Sequence, residues 1–83
     1  MKKLLKFSAS WCGPCQMLKM TMAGEDFGIE VEDIDIDKSS DIAAQYAVRG
    51  VPTLVLIEDG KEIARKSGAM PLSEIKEFIS AAS

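Results

Sequence analysis

Cys12 and Cys15 are the only two cysteines in the chain, and they stand three residues apart in Trp11-Cys12-Gly13-Pro14-Cys15. At helical spacing such neighbours lie about 5–6 Å apart at Cβ. A disulfide needs about 3.5–4.5 Å, so the pair can pass between dithiol and disulfide with little backbone motion. As a structural staple the bond would be poorly placed. A loop of four residues stabilises by only about 2 kcal/mol in the chain-entropy formula, against about 4.7 kcal/mol for 100 residues. The spacing therefore points to redox chemistry. Pro14 suits the first turn of a helix, which places Cys12 just ahead of it, where free N–H groups and the positive dipole end favour a thiolate. Cys12 is then the nucleophile, with the more exposed sulfur, and Cys15, one turn inward, resolves the mixed disulfide. Gly13 shapes the turn by admitting close backbone approach, and Pro14 by holding φ near the helical value.

Other uses of the thiols fare worse. A structural metal site wants four Cys or His ligands, whereas the chain has two cysteines and no histidine, which leaves only a site shared between chains. The lack of histidine also removes cysteine–histidine hydrolysis. No metal and no organic cofactor is expected beyond the redox-active Cys12–Cys15 disulfide.

Net charge is -3, with acidic and basic residues interspersed, so nothing resembles a phosphate-neutralising stripe, and neither nucleic acid nor membrane is an expected partner. No apolar run approaches the roughly 20 residues that span a bilayer. Met1-Lys2-Lys3-Leu4-Leu5 begins like a secretory signal and Ser8-Ala9-Ser10 could pass for its cleavage site, but Lys6 interrupts the apolar stretch after two leucines. A cytoplasmic, reducing compartment is the expectation, where a close cysteine pair is more often catalytic or metal-binding than structural.

The elements that must hold the pair follow from periodicity. Lys3 to Phe7 reads as a strand, residues 8 to 13 as a turn, and Pro14 to about Gly24 as a largely buried helix. Ile29, Val31, Ile34 and Ile36 among acidic residues mark a second strand. Ser39 or Ser40 can cap a helix reaching about Tyr46. Thr53 to Ile57 is an apolar strand, Asp59-Gly60 a hairpin turn, and Lys61 to Lys66 a charged edge strand. Pro71 fits the first turn of a last helix with Leu72, Ile75, Phe78, Ile79 and Ala82 at helical spacing. The expected fold is α/β, a mixed four-stranded sheet in the order β-α-β-α-β-β-α with helices on both faces, forming one domain over residues 1–83.

The pentapeptide on a strand-to-helix turn, Val51-Pro52-Thr53 before a strand, Arg49-Gly50, the Asp59-Gly60 hairpin and Gly68-Ala69 before the last helix together resemble the thioredoxin family, from about Leu4 to Phe78. The resemblance implies a protein-disulfide reductase of minimal thioredoxin-like fold, since the chain opens on the strand leading to the cysteines where usual thioredoxins carry an earlier strand and helix. It implies a cis bond before Pro52, which only an X-Pro bond reaches cheaply. It also implies that the backbone of Val51 pairs with an extended substrate segment, and that Trp11, Gly13, Pro14, Gly50, Val51, Pro52, Gly68 and Ala69 line the substrate groove. The implied partners are protein disulfides and a thioredoxin reductase as electron donor, and a monomer is expected. A glutaredoxin-like reductase coupled to glutathione, or a non-catalytic binding subunit of the same fold, are the alternatives.

Departures from the family pattern carry their own expectations. Met20 stands where thioredoxins have a helix-kinking proline. Ser8 replaces a second tryptophan and is expected to fill a smaller space. Met17, Met20, Met22 and Met70 read as core filler. Lys6 occupies the position of the family's buried acid, which relays protons to the second thiol. Desolvated beneath Cys15, Lys6 would have a lowered pKa and could carry protons near neutral pH. Alternatively its stem lies along the core and its ammonium reaches water, leaving it idle.

Overall fold

A computed structural model of the chain describes residues 1–82, so Ser83, the last residue of the expected domain, lies outside the described residues. Seven elements run in the order β1 (Lys2–Ser8), α1 (Gly13–Met22), β2 (Glu30–Asp35), α2 (Ser40–Gln45), β3 (Thr53–Glu58), β4 (Lys61–Ser67) and α3 (Leu72–Ala81). The sheet order is β2-β1-β3-β4, with β1 and β2 parallel and the other two pairings antiparallel. This is the mixed four-stranded α/β arrangement expected from the sequence.

The two central strands, β1 and β3, are buried along most of their length; Leu54 to Ile57 accordingly reads as an unbroken apolar run, whereas β1 carries the buried Lys6 between Leu5 and Phe7. Leu4, Leu54 and Leu56 pack with Leu18 and Met22 of α1, Met70, and Ile75 and Ile79 of α3. On the other face Leu5, Phe7, Ile34, Val55 and Ile57 pack with Ala43 of α2. Helices thus cover both faces. The β3–β4 hairpin turns at Asp59 and Gly60, with φ of 52° and 84°, the left-handed pair that matches strand twist.

Boundaries differ from expectation where local geometry intervenes. The first helix stops at Met22 rather than about Gly24, because Ala23 turns extended and Gly24 adopts φ 73°. Ile29 and Ile36 flank β2 instead of belonging to it, yet both still pack against the core clusters. Ser39 is the residue ahead of α2, but its side chain makes no capping hydrogen bond. Pro71 sits just before α3, and its carbonyl accepts the amides of Glu74 and Ile75.

The methionines do not all fill the core. Met22 and Met70 are buried as expected, whereas Met17 is 65% and Met20 79% exposed. The buried stripe of α1 is Cys15, Leu18 and Met22, and positions 17 and 20 fall off it.

Candidate active site

The turn after β1 closes when the Cys12 amide donates to the Ala9 carbonyl at 3.2 Å. Cys12 becomes the N-cap of α1, and its Sγ accepts the Cys15 amide at 3.2 Å. A sulfur therefore takes the place that an oxygen side chain usually fills at a helix start. Pro14 lies in the first turn, whose lack of an acidic residue leaves the N-terminal field uncancelled. Cys12 and Cys15 are joined as a disulfide with Cα atoms 5.2 Å apart, inside the usual window for such a bond.

The sulfurs are less different in exposure than expected. Cys12 is 5% and Cys15 4% exposed, because Ala9, Ile36 and Val51 pack around both. What separates them is their surroundings. Cys12 Sγ lies 3.8 Å from the Val51 carbonyl oxygen, and as a disulfide sulfur it has no proton to donate there, so this is a packing contact. Cys15 instead faces a hollow of about 300 Å³ lined by Lys6, Ser8, Ala9, Ser10, Gln16, Lys19, Asp33 and Asp35. Ser8, half-buried, forms part of this wall.

The Val51–Pro52 bond is cis. Pro52 is buried, its carbonyl accepts the Gly68 amide at 2.9 Å, and Gly68 has φ 93°, a conformation that suits glycine. Among the described residues no hydrogen bond occupies the Val51 amide. Gly50 is exposed, and its carbonyl accepts the Thr53 hydroxyl at 2.8 Å. Trp11 is 68% exposed, with its indole N–H donating to Asp37 at 2.9 Å. Gly13 has open space where a Cβ would stand and no left-handed φ. Close backbone approach within the chain is therefore not what it provides; it leaves a bare surface beside the sulfurs. Ala69 is exposed and borders a shallow hollow with Met17, Thr21, Met70 and Pro71.

Lys6 is buried, its side chain 9% exposed, and its ammonium sits 2.8 Å from Asp33 Oδ1, an aspartate 70% exposed. The parallel register places these two residues side by side. Asp33 was not among the sequence candidates, but a signal exists. Apolar alternation in β2 slips between Val31, which packs on the α1 and α3 face, and Ile34, which packs on the other. Asp33 is thereby turned to the face of Lys6. No group of residues able to hold a metal occurs among the described residues.

Known proteins agree with this geometry. The thioredoxin family model matches residues 1–81. A thioredoxin of Chlamydia trachomatis is 40% identical over 80 residues, covering 93% of this chain and 78% of the relative. A thioredoxin of Haemophilus influenzae is 38% identical, covering 92% and 75%. Among solved structures, Fasciola hepatica thioredoxin superimposes with TM-score 0.86 at 35% identity, covering 99% of this chain and 81% of that one. A mutant thioredoxin of Halobacterium salinarum gives 0.85 at 39%, covering 98% and 74%. The fold and the paired cysteines define a thiol–disulfide oxidoreductase. Within that class the chain belongs to the thioredoxin family, and its activity is the reduction of protein disulfides. The glutaredoxin-like and non-catalytic alternatives are not favoured.

Proposed function

We propose that Cys12 is the attacking sulfur and Cys15 the resolving one in the reduction of protein disulfides, with a thioredoxin reductase restoring the dithiol. The observation that carries the assignment is the Cys15 amide donated to Cys12 Sγ at 3.2 Å. On a thiolate that hydrogen bond is charge-assisted and strengthens, which selects Cys12 as the more stable anion. The Cys12 thiolate attacks one sulfur of the substrate disulfide, and the other leaves as a thiolate that takes up a proton. Cys15 then loses its proton and attacks Cys12, releasing the second substrate thiolate. Two electrons pass to the substrate, and the Cys12–Cys15 disulfide remains.

The uncommitted amide of Val51 beside Cys12 supports strand addition by an extended substrate segment. Trp11, Gly13, Pro14, Gly50, Pro52, Gly68 and Ala69 form the remaining groove, and Lys6 acts from the Cys15 side. In this reading residues 1–83 work as one unit, as a cytoplasmic monomer without metal or organic cofactor. Reduction of insulin disulfides, followed by turbidity with dithiothreitol or a reductase as donor, tests the assignment. Cys12→Ser should abolish turnover, and Cys15→Ser should accumulate a covalent adduct with substrate on non-reducing gels. Full turnover by Cys12→Ser would sink it.

A further inference from the structure

The hollow behind the disulfide is one-sided. It reaches Cys15, while Cys12, Trp11, Val51 and Pro52 take no part in its wall. Four charged groups face into it from three elements: Lys6 of β1, Lys19 of α1, and Asp33 and Asp35 of β2. An adjoining hollow of about 280 Å³ shares Lys6, Lys19 and Asp33 and adds Glu25. On the β3 side, the register neighbour of Lys6 is Leu54, which is fully buried. The two partners of the ion pair stand in different media. Lys6 is inside, whereas Asp33 is largely in solvent, so water screens the carboxylate more than the ammonium. The field of this ion pair at a sulfur sharing the hollow is therefore weighted toward the ammonium. The wall of the hollow includes the exposed Ser10, Gln16 and Lys19, so solvent reaches it and gives a proton a route.

We propose that the Lys6 ammonium, held in place by Asp33, acts on the resolving thiol: it stabilises the Cys15 thiolate while solvent entering the hollow accepts the proton. This rests on the reading of Cys15 as the resolving residue. In the balanced step, the Cys15 S–H bond breaks and its proton leaves through the hollow. The Cys15 electron pair then forms the bond to Cys12 Sγ, and the bond from Cys12 to the substrate sulfur breaks. Asp33 is a positioning residue, since it reaches the sulfur only through Lys6.

The test reads the thiol directly. In a Cys12→Ser chain, the pH midpoint of Cys15 alkylation by iodoacetamide should rise by about one unit on Lys6→Met. Lys6→Gln, which keeps a polar group at the site, should do the same. Asp33→Asn retains an acceptor for Lys6 and removes the opposing charge, so the midpoint should fall by about half a unit. Circular dichroism establishes that each variant is folded. Midpoints unchanged in both folded Lys6 variants would overturn the proposal. So would an equal shift at Cys12 in a Cys15→Ser chain, since that would reveal a general field instead of one confined to the resolving thiol. Because alkylation needs no turnover, failure of insulin reduction would count against the proposed function and leave these midpoints readable.

Discussion

At the scale of single residues, the cysteine pair was legible because its chemistry lies in local spacing, and the cis bond before Pro52 followed from the family resemblance. Two cysteines three apart ahead of a helix can be read without knowing what surrounds them. The contacts of Thr53 with Ser67 and of Asp33 with Lys6 were not legible, since those partners come from elsewhere in the fold. Thr53 is only 3% exposed, and its hydroxyl donates to the Gly50 carbonyl at 2.8 Å while meeting Ser67 Oγ at 3.3 Å. It pins the segment that leads into Val51. Thr53→Val should lower stability by about 1 kcal/mol, the typical net worth of such a bond, as measured by urea unfolding. The kinetic expectation is more specific. KM for a protein disulfide should rise while that for a small aromatic disulfide stays unchanged, because in the proposed strand addition only the former pairs with the backbone at Val51.

At the scale of elements, strands and helices followed from apolar periodicity, and their contacts with one another did not. Arg65 of β4 shows why. Its guanidinium donates to both Glu62 carboxylate oxygens, at 2.9 and 2.7 Å, and to the carbonyls of Tyr46 and Ala47 just past α2. The sequence presents Arg65 only as a charge on an edge strand. Its bond to Glu62 holds that carboxyl below its ordinary value. A carboxylate with a depressed folded-state pKa stabilises the fold above its unfolded value, and the contribution disappears as pH falls through the folded one. The urea midpoint should therefore drop between about pH 5 and pH 3, and Glu62→Gln should flatten that part of the profile. A profile of unchanged slope in Glu62→Gln would assign the acid sensitivity to other carboxylates.

At the scale of the whole molecule, a radius of gyration of 11.7 Å equals the roughly 12 Å expected for a compact chain of this length. The fold class was legible because element order nearly dictates the sheet. The hollow beside Cys15 was not, because an unfilled volume has no sequence signature of its own. A chain this short buries a modest core, and its net stability is on the order of 5–10 kcal/mol. Closing the four-residue loop should then matter globally, adding about 2 kcal/mol in the oxidised form. Paired urea titrations with and without dithiothreitol should place the oxidised midpoint higher, and coincident midpoints would contradict the chain-entropy argument.

The exposed indole of Trp11 is the chain's single tryptophan, and it is covalently next to the disulfide. Disulfides quench indole emission at short range. The molecule therefore contains its own optical gauge: fluorescence should brighten as the pair is reduced, and turnover can be followed without a label, from light emitted at the reacting bond.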